Sequence, residues 1–478
     1  MKDEYDVIVI GAGPVGENAA GRTAKGGLDT LLVERELAGG ECSYWACMPS
    51  KTLLRPGEVI AAARRVPGAR EAVTSEIDVE AALARRDEVV HDYNDESQVK
   101  WIKDTGIDFE RGHARITGER AIEVEHENKT LSFSARRAVV VATGSSPIIP
   151  PIPGLREAKP WDSRAVTAAK EVPRRLLVLG GGVVGVEMAQ AWSRLGAEEV
   201  TIIERGERLL SMEEPFVGDE LGEAFEKEGI RVRSETEATE VLRDAPDGPV
   251  TVRTKAGSEI VGDEILVAIG RKPRTDDLGV DKIGLEPGKA IATDRFMQAS
   301  EINGTKANNG TDRLDDPPTR WLYAVGDVSG IAPLTHMGKY QARIAGDHIL
   351  GKNVGTDLGH RAITRVVFTD PQVAAVGLTE AEARERELSV RTVSAKVGDV
   401  AGATVSGEDL NGTCMLVLDK KSRRVVGATF TGPGVGEMLH AATIAIVGEI
   451  PLERLQHAVP AFPTVSEVWL NLVEEAIG

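Results

Sequence analysis

Cys42 and Cys47 lie in the run Gly39-Gly40-Glu41-Cys42-Ser43-Tyr44-Trp45-Ala46-Cys47-Met48-Pro49-Ser50-Lys51, and two thiols at this spacing can exchange electrons as a dithiol–disulfide pair. On a regular helix their Cα atoms would be roughly 8 Å apart, beyond the roughly 7 Å that a disulfide spans, so pairing requires an irregular first turn. Gly39, Gly40 and Pro49 permit one. Such a turn also brings the sulfurs to a helix N-terminus, whose dipole favours the thiolate that attacks disulfides or electrophiles. The plainer reading is two unconnected buried cysteines. The third cysteine, Cys414, falls in an alternating strand and reads as a small core residue.

The elements upstream say what stands beside that pair. Tyr5-Asp6-Val7-Ile8-Val9-Ile10 is a β-branched run that ends in Gly11-Ala12-Gly13-Pro14-Val15-Gly16 and continues into a helical pattern. Thr30-Leu31-Leu32-Val33 predicts a second strand ending in Glu34, about 20 residues beyond the glycines, where an acid can accept hydrogen bonds from a ribose. The glycines let backbone approach a pyrophosphate, and the helix N-terminus offers aligned N–H groups to its charge. The arrangement repeats: Arg175-Leu176-Leu177-Val178-Leu179 leads into Gly180-Gly181-Gly182-Val183-Val184-Gly185, and Val200-Thr201-Ile202-Ile203 ends in Glu204. A carboxylate at Glu204 suits a free 2′-hydroxyl and repels a 2′-phosphate, which favours NAD(H), while Arg205 and Arg208 leave NADP(H) open. Two dinucleotide units and a Cys pair point to a flavin beside a redox-active disulfide.

The 478 residues exceed a single core and predict three or four domains. Hydrophobic residues make up 41%, charged residues 28% and aromatics 4%, the balance of a globular enzyme in which the few aromatics are worth locating. The net charge of −18 argues against nucleic acid or an anionic membrane as partner. Three cysteines do not build a secreted disulfide framework, residues Met1 to Asp6 carry no signal-peptide pattern and no apolar run is long enough to span a bilayer, so a cytoplasmic protein is expected. Pro147 to Pro153 reads as a linker, a further boundary falls near Gly270-Arg271-Lys272-Pro273, and Ser300 to Arg320 reads as an exposed, mobile polar loop. The last 120 or so residues alternate short strands (365–368, 415–419, 425–430) with helical stretches such as 436–447, an α+β pattern.

With these motifs in hand, and with Ala142-Thr143-Gly144, Ala268-Ile269-Gly270-Arg271-Lys272-Pro273 and Leu322-Tyr323-Ala324-Val325-Gly326-Asp327 in the family's order, the chain resembles the flavoprotein pyridine nucleotide-disulfide reductases, nearest the dihydrolipoamide dehydrogenase branch. The resemblance covers nearly the whole length. It implies an α/β fold of two Rossmann-like dinucleotide-binding domains plus a C-terminal α+β dimerisation domain: residues 1–150 and 276–350 for FAD, 151–275 for NAD(P), and 351–478 for pairing two subunits into a homodimer. It implies that Gly11, Gly13, Gly16, Glu34, Gly40, Thr143, Gly144, Gly326 and Asp327 serve FAD, with Asp327 at its ribitol. Gly180, Gly182, Gly185 and Glu204 of the second unit would serve the nicotinamide dinucleotide, and Gly270 and Arg271 would be cofactor-binding residues of the motif that follows it. Cys47 would be the flavin-proximal sulfur, Cys42 the sulfur that exchanges with substrate, and Lys51, paired with Glu187, would stand near the flavin and stabilise developing negative charge. Without the family, Lys51 and Glu187 read as ordinary helix-surface charges.

One position departs from the family. Relatives acting on dithiols carry His-Pro-Thr-x-x-Glu near the C-terminus, the His serving as acid–base from the partner subunit, whereas this chain has Phe462-Pro463-Thr464-Val465-Ser466-Glu467. Phe carries no proton, and loss of a general acid–base forfeits on the order of 10²- to 10⁴-fold in rate, so lipoamide turnover is expected to be poor. His457 and His336 are substitutes to weigh against structural roles, Phe462 can shield the disulfide from water, and Glu467 can bond backbone instead of a His. The expected function is an FAD-dependent NAD(P)H oxidoreductase passing electrons through Cys47 and Cys42 to a small disulfide or other acceptor. The alternatives are a diaphorase-like reductase of quinones, dyes or metal ions and a thioether-cleaving enzyme like 2-ketopropyl-coenzyme M carboxylase, which the retained Glu467 disfavours. Mercuric reductases usually end in a vicinal cysteine pair and carry an N-terminal metal-binding module, and this sequence shows neither; no resident metal site is expected. Soluble transhydrogenases lack one of the two cysteines kept here. A non-catalytic flavin-binding subunit would need neither the cysteines nor Lys51 and Glu187.

Overall fold

β-Branched residues set the first strand, and the glycines after it set the first turn. The computed structural model describes residues 2–127, 129–246, 248–306 and 320–478. In chain order the N-terminal part runs β1 (Glu4–Ile10), α1 (Pro14–Lys25), β2 (Thr30–Glu34), α2 (Gly40–Tyr44), α3 (Cys47–Arg64), α4 (Val79–Val89), α5 (Glu96–Asp104), β3 (Asp108–Arg111), β4 (His113–Gly118), β5 (Ala121–His126), β6 (Lys129–Val141) and β7 (Ser145–Pro147). The middle part runs α6 (Ser163–Ala168), β8 (Arg175–Leu179), α7 (Val183–Arg194), β9 (Glu199–Ile203), α8 (Pro215–Lys227), β10 (Arg231–Arg233), β11 (Ala238–Leu242), β12 (Val250–Thr254), β13 (Glu259–Gly262) and β14 (Glu264–Val267). Then follow β15 (Arg271–Pro273), β16 (Glu301–Ile302), β17 (Thr305–Lys306), β18 (Leu322–Ala324) and α9 (Thr335–Ile349). The C-terminal part holds β19 (Thr364–Val367), β20 (Gln372–Gly377), α10 (Glu380–Glu385), β21 (Val390–Lys396), α11 (Ala401–Ser406), β22 (Thr413–Asp419), β23 (Arg424–Gly432), α12 (Val435–Val447), α13 (Leu452–Leu455) and α14 (Val468–Ile477).

These elements form two compact units. The first comprises residues 1–49, 87–147 and 271–358. Its sheet, among the described residues, orders β3-β2-β1-β6-β5-β4 with β18 also on β6; β3, β2, β1, β6 and β18 are parallel, and β4 and β5 fold back antiparallel. Val7, Val9, Leu32, Val140 and Tyr323 bury one face against α1 and α9, and Ile8, Ile10, Leu31, Val139 and Leu322 bury the other. Val and Ile runs buried on both sides are what a parallel sheet requires. The second unit comprises 50–86, 148–270 and 359–478. It contains the parallel sheet β10-β9-β8-β14, the antiparallel sheet β11-β12-β13 and the antiparallel sheet β19-β20-β23-β22-β21, the last covered by α12 and α14.

The unit boundaries at 147/148 and 270/271 fall in the Pro-rich stretch and beside Gly270. The polar segment departs from its reading as loop at its start, where β16 and β17 pair as a small hairpin around Asn303 and Gly304; positions 307–319 of that segment lie outside the described residues. Among the described residues no helix is long and apolar enough to cross a membrane.

Candidate active site

Gly39 and Gly40 have φ of 107° and 58°, conformations that a Cβ disfavours, and they aim the chain into the five-residue helix α2. Trp45, with φ −131°, interrupts that helix, and α3 begins at Cys47. The break supplies the irregularity that the spacing demands. Cys42 and Cys47 are free, half-buried thiols hydrogen-bonded to one another, and the Thr335 hydroxyl at the start of α9 lies 3.4 Å from Cys47 Sγ and also hydrogen-bonds Cys42. The Cys42 thiol is pushed up, first by its bond to Cys47 and then by burial, with Thr335 and Lys339 acting in the opposite sense. At Cys42, in the first turn of the short α2, the neighbouring sulfur and burial therefore outweigh the lowering expected of a helix terminus.

An aromatic cluster is built on the link between the two cysteines. Trp45 lies between Tyr44 (ring centroids 5.7 Å) and Tyr93 (6.0 Å), and buried Tyr44 donates its hydroxyl to Ala38 O at 3.0 Å. Tyr93 is held there by three successive residues in left-handed conformation, His91, Asp92 and Tyr93 (φ 52°, 49° and 59°). Such residues are uncommon singly and persist where surroundings impose them. Asp95, just beyond, accepts from Ala38 N and from Arg111, each at 2.6 Å, which fastens this turn to the loop leading into Gly39.

The two glycine turns have nearly the same geometry. A Cβ on Gly16 would stand 1.8 Å from Gly11 O, and one on Gly185 would stand 2.0 Å from Gly180 O. A Cβ on Gly11 would meet Ala142 O at 2.5 Å and one on Gly180 would meet Ala268 O at 2.7 Å, and both residues have φ above 100°. Glu34 Oε2 accepts from Ala12 N at 2.7 Å, as Glu204 Oε2 accepts from Gly181 N at 2.6 Å, so each carboxylate stands at the mouth of its turn. The N-caps of α1 and α7 are Gly13 and Gly182, which have no side chain with which to cap the first-turn N–H groups. A Cβ on either glycine finds nothing closer than about 3.9 Å, leaving open space over bare helix ends. That is the donor set a pyrophosphate fits. In the first unit Gly40 packs its Cα toward Gly13, and a Cβ there would come within 2.7 Å.

Around the first turn, Thr143 Oγ1 donates to Arg274 O at 2.8 Å and Arg274 N to Gly144 O at 3.0 Å. Ser145 Oγ donates to Asp327 at 2.6 Å, and Arg271 Nε donates to the same hydroxyl at 2.8 Å and bridges to Glu41 at 3.4 Å. Arg271 therefore belongs to the Asp327 network of the first unit. Gly326 (φ 77°) donates its N–H to Gln341 at 2.8 Å, placing Asp327 beside the start of α9. Gly270, with φ 134°, ends its strand connection in the second unit.

The second unit brings Lys51 Nζ to Glu187 Oε2 at 2.7 Å. Glu187 is 3% exposed and its other oxygen accepts from Phe368 N at 2.9 Å, while the ammonium stands 5.0 Å over the Phe368 ring. A buried carboxylate so bonded is a structural commitment, not a helix-surface charge. Phe462 is 77% exposed, and Glu467 Oε2 accepts from Thr464 N at 3.2 Å and Gly402 N at 3.1 Å, the backbone role foreseen for an acid without a His. His457 and His336 are exposed, and Cys414 is fully buried opposite Phe430. No group of three or more His, Cys, Asp or Glu able to hold a metal occurs among the described residues. The sequence gives no signal for Thr335, Lys339 or Glu17, and for Tyr93 only the scarcity of aromatics in the chain.

Residues 5–342 match the pyridine nucleotide-disulphide oxidoreductase family and 363–473 match that family's dimerisation domain. The dihydrolipoyl dehydrogenase of Thermus scotoductus is 33% identical over 98% of this chain and 97% of its own length, and that of Bacillus subtilis is 31% identical over 99% and 97%. A mercuric reductase of Staphylococcus aureus is 29% identical over 97% of this chain and 81% of its own. Among solved structures, the HOCl-induced flavoprotein disulfide reductase RclA of Escherichia coli shares the fold with a TM-score of 0.82 at 24% identity, covering 98% of this chain and 99% of that one. The motifs, the paired cysteines and these matches agree: the chain belongs to the class I pyridine nucleotide-disulfide oxidoreductases, FAD-dependent enzymes that use NAD(P)H.

Proposed function

We propose that this protein is an NADH-preferring reductase of disulfides whose thiols are good leaving groups, working through Cys42 and Cys47 in a cytoplasmic homodimer. The observation that carries the reading is Phe462: the frame that presents an acid–base in relatives is kept, yet its first residue holds no proton and Glu467 is bonded to backbone. Bound FAD supplies a two-electron relay between nicotinamide and Cys47. The chain's own part is the exchange. Cys42, as thiolate, attacks one substrate sulfur; the substrate S–S bond breaks and the first thiolate departs. Cys47 then attacks the Cys42 sulfur, which restores the Cys42–Cys47 bond and releases the second thiolate. Protons from the two cysteines reach the products through water, for a net NADH + H⁺ + RSSR → NAD⁺ + 2 RSH.

Without a neighbouring acid the departing group leaves as the bare thiolate, and thiolates leave faster as their pKa falls. Aromatic or otherwise acidified disulfides satisfy that condition and lipoamide does not. The coenzyme preference is supported by Glu204, and by Arg208, which donates to Ser211 O and Glu213 O at 3.3 and 3.4 Å instead of standing open to a 2′-phosphate. Dimerisation is supported by exposed Ile444, Val447, Leu470 and Ile477 along α12 and α14, where a cavity of about 490 Å³ is lined by Met438, Trp469, Leu470 and Val473. The test is steady-state NADH oxidation by the flavin-loaded enzyme with 5,5′-dithiobis(2-nitrobenzoate) and with lipoamide. The expected ratio of kcat/KM is about 10² or more in favour of the aromatic disulfide; equal values overturn the reading, and turnover of quinone alone replaces it with a diaphorase.

A further inference from the structure

α9 carries more than Thr335 to the dithiol. Lys339 follows Thr335 by one helical turn, and residues four apart share a face, with side chains leaning back toward the helix N-terminus. The half-buried Lys339 stem therefore runs toward the end at which Thr335 Oγ1 stands 3.4 Å from Cys47 Sγ. His336, one residue from Thr335, falls on a different face.

The neighbouring helix fixes what lies on the other side. α9 lies against α1 with almost nothing between them: a Cβ on Gly338 would stand 2.5 Å from Val15 and one on Gly346 would stand 2.7 Å from Arg22. The pairs Val15–Gly338 and Arg22–Gly346 advance together, so the helices run parallel with their N-terminal ends level. At that level α1 presents Glu17, 7% exposed and bonded by Gln98 Nε2 at 2.9 Å. The Lys339 charge is felt by both Glu17 and Cys42. Cys47 of α3 and Thr335 of α9 bond Cys42, and the charged groups of the two packed helices nearest this end are Lys339 on α9 and Glu17 on α1.

We propose that Lys339 is a positioning residue for the exchange reaction, its charge, one helical turn beyond Thr335 on the same face of α9, stabilising the Cys42 thiolate and thereby replacing the base that Phe462 lacks. The step is Cys42–SH to Cys42–S⁻ with its proton given to water, followed by attack on the substrate S–S bond. The inference rests on the reading of Cys42 as the exchanging sulfur.

The experiment uses the flavin-loaded protein, reduced anaerobically with NADH and pulsed with iodoacetamide across a range of pH, with Cys42 alkylation followed by peptide mass spectrometry. A neighbouring positive charge favours a thiolate, and one unit of pKa is tenfold in its population at neutral pH, so Lys339→Met is expected to slow Cys42 alkylation about tenfold and to move its pH midpoint upward. Lys339→Arg is expected to keep the wild-type profile, which packing alone would not secure. Wild-type rates in Lys339→Met, or equal slowing in the Met and Arg variants, overturn the proposal. Should Lys339→Met lose its flavin, Lys339→Gln is measured in its place with the same criteria. If NADH fails to expose Cys42 to alkylation in the wild type, the exchange reading itself falls, which separates its failure from that of Lys339.

Discussion

A methyl group on Gly16 or on its counterpart Gly185 separates the two dinucleotide turns functionally. In Gly16→Ala the new carbon would lie 1.8 Å from Gly11 O, and in Gly185→Ala it would lie 2.0 Å from Gly180 O, against a practical floor of 3.0 Å. Each turn must therefore open by about 1 Å, and the atom met is a backbone carbonyl that cannot rotate away. Overpacking of this kind costs about 1–3 kcal/mol and sometimes more; with backbone as the obstacle we take about 3. If the strain is relieved by opening the turn, the bare N–H groups at the end of α1 or α7 are displaced from their ligand. At 1.4 kcal/mol per tenfold, binding weakens about 100-fold. Flavin per chain, read from absorbance after denaturation, is expected to fall in Gly16→Ala and to remain at the wild-type level in Gly185→Ala. Gly185→Ala is then expected to bleach poorly with anaerobic NADH and fully with dithionite, which needs no nicotinamide site. Loss of flavin in Gly185→Ala with retention in Gly16→Ala would reverse the assignment of the turns, and full function in both would refute the argument that close approach at these glycines matters.

Phe462→His is expected to raise lipoamide turnover by about 10²-fold, and adding Glu467→Gln to remove much of that gain; unchanged or lower lipoamide activity would show that the missing base is not limiting. Burial holds Glu17 above its ordinary 4.5 at about 7, so the folded chain binds a proton that the unfolded chain releases between those values. Stability from this group therefore falls as pH rises from 4.5 through 7, by about 3 kcal/mol, and urea titrations of Glu17→Gln should lack that component; parallel pH profiles for the two proteins would contradict it. Lys51→Met strands the buried Glu187 carboxylate and should cost about 2 kcal/mol, below the usual 3–5 for a broken buried pair because Lys51 is one-third exposed. Adding Glu187→Gln should recover most of that loss in the same urea titration, and no recovery would mean that Lys51 acts through packing on Phe368.

What the sequence reveals here is what repeats locally. Each glycine turn, with its flanking strands and closing acid, lies within about 30 residues, and the turn chemistry allows few alternatives, so both cradles and their ordering were legible before any coordinates. The same holds for the interruption between α2 and α3, which follows from a spacing too long for a helical disulfide and from Gly39 and Gly40. Contacts between distant segments carry no such signature. Thr335 meets Cys47 across 288 residues, Asp95 fastens Ala38 across 57 and Glu187 takes Lys51 across 136. A threonine or lysine in an amphipathic helix reads as a solvated face until the sheet order is known. Here the order β2-β1-β6 with β18 on β6 lays α1 beside α9, and that adjacency, more than any motif, gives Glu17 and Lys339 a relation to the dithiol. The same physics explains the left-handed turn at 91–93: no residue in His91-Asp92-Tyr93 announces positive φ as a glycine does, and the conformation is imposed by Asp95 on one side and the Trp45 ring on the other. With Phe462 where relatives carry a histidine and both cysteines present, the groups that favour a Cys42 thiolate are on an element packed against the pair, Thr335 and Lys339 of α9.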